Sequence, residues 1–88
     1  MSAQFTPGPW RAAPKSPKTW NFGVYDEGGT EVAHVAAHAL NFFQRKADAR
    51  LIAAAPDLLK ACAAALAGHP TWQQMMTDAY TKATGSAP

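Results

Sequence analysis

The chain has 88 residues, a formal net charge of +2 and 48% hydrophobic residues. That length admits one domain, residues 1–88, with a thin core, and the hydrophobic share excludes disorder over most of it. The charge is too small to mark a nucleic-acid or membrane-surface protein. Cys62 stands alone, so no intrachain disulfide forms. Neither a signal-peptide pattern nor an apolar run of the roughly 20 residues that span a membrane is present, so the expected location is the cytoplasm.

Residues 1–9 carry Pro7 and Pro9, and Pro14 and Pro17 follow. Proline lacks a backbone donor and keeps to edges and turns. The segment therefore reads as an extended arm, with a short edge strand at Trp10–Ala13. Thr19–Asp26 reads as a strand, because Trp20, Phe22 and Val24 alternate with Asn21, Gly23 and Tyr25. Asp26-Glu27-Gly28-Gly29 is a hairpin turn, and Thr30–Ala36 returns with Val32 and Val35. The sheet is expected within residues 10–37, as a hairpin or a three-stranded meander.

Helices follow over residues 41–83 and cover one face of the sheet. Asn41 and Gln44 fit a capping box. Phe43, Ala47, Leu51 and Ala54 then form the expected buried stripe of a first helix, with Arg45, Lys46, Asp48 and Arg50 off it. Ala55-Pro56 ends that helix and opens the next, whose first turn holds Asp57. Leu58, Leu59, Cys62, Ala65 and Leu66 form the second apolar stripe, and Gly68 stops it. A third helix starts at Thr71, through a box with Gln74, or at Pro70. Its stripe is Trp72, Met75, Met76, Ala79, Tyr80 and Ala83, and residues 84–88 are a frayed tail. The fold class is α+β: an antiparallel hairpin or meander followed by two or three packed helices.

Two segments stand out together. One is Phe5-Thr6-Pro7-Gly8-Pro9-Trp10; the other runs Ala47-Asp48-Ala49-Arg50-Leu51-Ile52-Ala53-Ala54-Ala55-Pro56-Asp57-Leu58-Leu59. The pair, with Asp26 in a turn and Val32-Ala33-His34-Val35 in a strand, resembles a family of small phage and prophage proteins. The resemblance spans about residues 5–66 and leaves the third helix outside it. Asp48 departs from the family's usual asparagine. The resemblance implies a phage or prophage gene and a protein acting in the cytoplasm of a bacterial host. It carries no settled reaction or cofactor. Small phage accessory proteins often inhibit host processes, so it implies an inhibitor of an antiviral defence factor, anti-CRISPR-like, acting by steric occlusion.

No catalytic constellation is expected, and the protein is not expected to be an enzyme. Ser2, Ser16 and Ser86 lie in the arm, the loop and the tail, where nothing orders a nucleophile. His34, His38, His69 and Cys62 match no metal-ligand spacing, so no metal or cofactor is expected; Cys62 reads as a core residue. Asp26, Glu27 and Glu31 read as a solvated turn. Two sets of contact residues remain. Arg45, Lys46, Trp72, Met75, Met76 and Tyr80 are the candidate surface for a host protein, although the third-helix stripe also fits a core or a homodimer seam. Trp10, Arg11, Trp20 and Arg50 are the alternative set. Stacking on tryptophan with arginine on phosphate suits a small nucleotide-derived signalling ligand, which the protein would sequester. An accessory or structural phage protein and a weak nucleic-acid binder are the remaining alternatives.

Overall fold

The computed structural model describes residues 5–15, 21–35 and 42–86. Three strands, β1 (Arg11–Pro14), β2 (Phe22–Tyr25) and β3 (Glu31–Val35), form an antiparallel meander in the order β1-β2-β3. Proline ends β1, which lies at an edge as a missing donor requires. Phe22 and Val24 of the central strand are 4% and 0% exposed, so the alternation in the sequence does mark the core face. Glycine breaks that alternation: Gly23 is also buried, because the Tyr25 ring folds over it. The β2–β3 turn is held by Asp26, whose Oδ1 accepts the Thr30 amide at 2.9 Å, and Gly29 adopts φ +87°.

Three helices follow: α1 (Phe42–Ala53), α2 (Ala55–Leu66) and α3 (Trp72–Thr84). Helix α1 lies on the sheet, α3 packs on α1, and α2 packs on α3. Among the described residues neither α2 nor α3 packs on a strand. The molecule is thus a staircase of layers, 45 × 30 × 20 Å.

The buried side of α1 differs from the expected stripe. Ala49 and Ala53 are 0% and 2% exposed and meet Phe22, Val24 and Val35, with Ile52 beside them. Phe43 and Leu51 are 77% and 56% exposed, and Ala47 is exposed too. The helix is held close to the sheet, and close approach selects the small side chains. Only Ala54 of the expected stripe is buried, at the joint where α1 meets α2. Arg45 lies one turn before Ala49, on the same side, and is 7% exposed. Asn41 lies outside the described residues.

Pro56 sits in the first turn of α2, where its missing N–H costs nothing. The far end closes through glycine: Gly68, at φ +70°, donates to the Ala65 carbonyl and His69 donates to the Ala64 carbonyl. The expected apolar stripe of α2 is not its buried side. Pro56 and Ala61 are buried, whereas Leu59 and Leu66 are 52% and 89% exposed and Cys62 is exposed. Small residues again form the seam, Ala61 on α2 and Ala79 and Ala83 on α3.

Helix α3 starts at Thr71, without the expected box. The Thr71 hydroxyl bonds His69 Nδ1 at 2.9 Å instead and makes no side-chain cap. The helix ends at Gly85, φ +77°, whose amide donates to Thr81. Residues 84–86 are therefore a formed cap rather than a frayed tail.

The two outstanding sequence segments touch. A Cβ at Gly8 would stand 2.6 Å from Cβ of Pro56, and Phe5 and Trp10 border one small cavity with Ala55, Pro56 and Leu59. The arm rests on the α1–α2 joint, and the indole N–H of Trp10 donates to the Thr6 carbonyl at 3.2 Å.

Candidate functional site

A cleft of about 430 Å³ opens where β1, α1 and α3 meet. Its apolar floor is Ala12, Pro14, Phe22 and Ala53. Its walls are Arg11 from β1, Lys46 and Arg50 from α1, and Lys82 from α3. Among the described residues, four cationic residues and no carboxylate line it.

Each cation has a local reason for its place. Lys46 and Arg50 are four residues apart, one turn along the same side of α1. The Arg50 guanidinium lies against the α3 terminus; a Cβ at Gly85 would come 2.7 Å from its Nη1. Arg11 stands over the Tyr25 ring, 5.3 Å from its centroid. Lys82 is paired with Asp57, to whose Oδ2 it donates at 2.6 Å. Strand alternation puts Arg11 and Tyr25 on the face of the sheet opposite Phe22 and Val24, so Arg11 borders the cleft while its guanidinium stays on Tyr25. The Arg50 guanidinium and the Lys46 and Lys82 ammonium groups beside an apolar floor suit an anion that carries an apolar or planar body.

The fold sorts the two expected residue sets anew. Of the ligand set, Arg11 and Arg50 both border the cleft, but the Arg11 guanidinium lies over Tyr25, across the sheet from Phe22, and that of Arg50 lies against Gly85. Trp10 does not join them; it packs toward the core and borders the Phe5–Pro56 cavity. Trp20 lies outside the described residues. Of the host-protein set, Arg45 is buried and so offers no contact surface. Lys46 belongs to the cleft. The third-helix stripe splits. Trp72 is half-buried, Met76 and Tyr80 border a groove with α2, and Met75 lies on the opposite side beside Asp57, Lys60, Asp78 and Lys82. Lys82 was not in either set. Nothing in the spacing of α3 connects it to β1, and only the packing of α3 on α1 brings it there.

Other candidates have structural roles. Cys62 is exposed rather than core. His34 Nδ1 accepts from Lys15 Nζ at 3.0 Å, and Lys15 also pairs with Glu31 at 2.7 Å. Among the described residues no three His, Cys, Asp or Glu side chains converge as a metal site. Among those same residues no helix is long and apolar enough to cross a membrane.

Fold and cleft together define a small α+β protein with a cationic cleft at its sheet–helix junction. The family model described as Salmonella phage P22 protein Y8K6 matches residues 1–87, and the chain belongs to that phage protein family. Comparison with curated proteins and with solved structures found no match.

Proposed function

We propose that this phage protein acts by binding rather than by catalysis, and that its cleft captures a small phosphate-bearing ligand of the nucleotide type. The observation that carries the reading is the gathering of Lys46, Arg50 and Lys82 on one apolar-floored cleft, with Arg11 at its border and no carboxylate among the described residues of its lining. Its volume of about 430 Å³ suits one small ligand, since such sites run from about 300 to 1,000 Å³. Arg50 supplies a fork-shaped donor that matches phosphate oxygens, and two lysines supply point charges.

Inhibition of a host defence then takes the form of withdrawing a ligand from the host cytoplasm. Steric occlusion has less support, because its contact set is dispersed. Arg45 is buried, and Met75 and Met76 border different pockets.

Calorimetric titration tests this, with a nucleoside triphosphate, inorganic pyrophosphate and an uncharged nucleoside as probes. The triphosphate is expected to bind, more weakly as salt rises, and the nucleoside alone not to bind. Lys46→Ala together with Arg50→Ala is expected to lower triphosphate affinity at least about tenfold, as loss of two charge-assisted contacts implies. Retained affinity in that variant, or no binding of either phosphate probe by the wild type, overturns the proposal.

A further inference from the structure

The buried residues divide unevenly between two bodies. The core cluster is Phe22, Val24, Val35, Ala49 and Ala53, so it belongs wholly to the sheet and α1. Among the described residues, those buried in α2 and α3 are Pro56, Ala61, Ala79 and Ala83. None of these belongs to the core cluster, and three of the four are alanine, whereas Leu59, Leu66, Met76 and Tyr80 are exposed. We infer that the α2–α3 pair opens from the sheet–α1 body as one unit, short of global unfolding, and that an anion in the cleft is the clasp that holds it shut. The clasp rests on the reading of the cleft as a phosphate site; the opening does not.

The docking is thin for three reasons. An alanine methyl removes little apolar surface from water, and a region held by few apolar contacts opens locally before the whole fold does. The two helices also hold each other rather than the core: α2 packs on α3, α3 packs on α1, and among the described residues neither packs on a strand. At the covalent joint, Pro56 offers no N–H to bond back toward α1. The arm does touch α2, at Pro56 and Leu59, but these lie in the turns next to the joint, where an opening pair moves least.

The cleft spans the two bodies. Its described lining comes from β1, β2 and α1, except for Lys82, which comes from α3. Lys46 and Lys82 therefore border one cleft from opposite bodies, and like charges oppose closure, whereas an anion between them favours it. Lys82 is also tied to Asp57 Oδ2 at 2.6 Å, so a ligand that holds Lys82 holds both helices. The Arg50 guanidinium lies against Gly85 only while α3 is docked on α1. Because the complete cleft exists only in the closed form, binding and closure are linked.

Hydrogen exchange read by mass spectrometry on the full chain, beside calorimetry, tests both halves. Helices of 12 and 13 residues are marginal alone in water, so an open pair exchanges its amides. Without ligand, the amides of α2 and α3 are expected to exchange at least about tenfold faster than those of β2, which wait for global unfolding. Inorganic pyrophosphate at about 100 times its Kd is expected to slow α2 and α3 about a hundredfold. In Lys82→Ala, at the same multiple of that variant's own Kd, β2 is expected to be slowed still and α2 and α3 to lose most of the slowing. Exchange in α2 and α3 no faster than in β2 overturns the opening. Calorimetric binding of pyrophosphate that leaves their exchange unchanged, or full slowing in Lys82→Ala, overturns the clasp and leaves the phosphate site standing. Absence of pyrophosphate binding overturns the phosphate site and the clasp together.

Discussion

Lys82 Nζ donates to Asp57 Oδ2 at 2.6 Å, which ties the last turn of α3 to the first turn of α2. Each charge also sits at the helix end that favours it, the carboxylate at an N-terminus and the ammonium at a C-terminus. The pair is about one-third exposed on both sides, so its removal costs no more than about 1 kcal/mol. Its larger effect falls on the cleft, where Asp57 draws on a lysine that would otherwise face an anion alone. Asp57→Asn is therefore expected to lower the melting temperature slightly and to tighten triphosphate binding. A thermal melt and a titration on the same sample check both, and weaker binding would show that Asp57 positions Lys82 rather than competing for it.

Alanines decide how α1 sits on the sheet. Ala49 and Ala53 are fully enclosed by Phe22, Val24 and Val35. Ala49→Leu inserts a large side chain where there is no room, and is expected to cost about 1–3 kcal/mol. Leu51→Ala, at a position 56% exposed, is expected to change stability by less than about 0.5 kcal/mol. Urea unfolding of the two variants distinguishes them. The apolar stripe drawn from the sequence predicts the reverse order.

That reversal shows what was legible in the sequence. Strand alternation at Phe22 and Val24, the Asp26–Gly29 turn, the Ala55-Pro56 break and the Gly68 stop each rest on local backbone chemistry, and each stands in the structure. The buried helix faces were not legible. Size-weighted patterns favour Phe43, Leu51 and Leu66, but close helix packing selected Ala49, Ala61 and Ala79. Half of the cleft was visible, as Arg11 and Arg50 were singled out for their chemistry. Lys82 was not, because its partners are remote in sequence and no periodicity records that α3 lies on α1.

Gly8 makes the contact between the proline arm and the α1–α2 joint. A methyl group there would meet Pro56 Cβ at 2.6 Å and Cγ at 3.0 Å, against a ring that cannot swing aside. Gly8→Ala is expected to lift the arm from Pro56 and loosen the Trp10 packing, with a loss of about 1–3 kcal/mol. Tryptophan fluorescence should shift to the red in the folded protein. An unshifted spectrum with unchanged stability would mean that the arm contributes nothing at this joint.

Two left-handed glycines separate conformational cost from site geometry. Gly29 has φ +87° and open space where a Cβ would go; Gly85 has φ +77° and the Arg50 guanidinium there. Alanine at either position pays the left-handed penalty, about 1–2 kcal/mol. Only Gly85→Ala also displaces Arg50 from the cleft wall. Both variants are thus expected to lose similar stability, and Gly85→Ala alone is expected to bind triphosphate more weakly. Equal binding by the two would remove Arg50 from the ligand contacts.

A further relay runs from Gly23 through Tyr25 to Arg11. The Tyr25 ring lies over Gly23, so a Cβ there would stand 2.5 Å from the phenolic oxygen, and Arg11 lies over that same ring at 5.3 Å. The clash falls on the outer end of a side chain that can rotate, so Gly23→Ala is expected to cost little stability. The ring must nevertheless leave its place, and Arg11 loses a cation–π contact of about 0.5–1 kcal/mol that holds its guanidinium on the sheet face opposite Phe22. Gly23→Ala and Tyr25→Ala are therefore each expected to release Arg11 and to change triphosphate binding by no more than a few-fold, in step with that energy, and the effect should vanish when Arg11 is already alanine. A double-mutant cycle in Arg11 and Tyr25 measures this coupling directly. Additive effects would show that Tyr25 affects the cleft by some route other than Arg11.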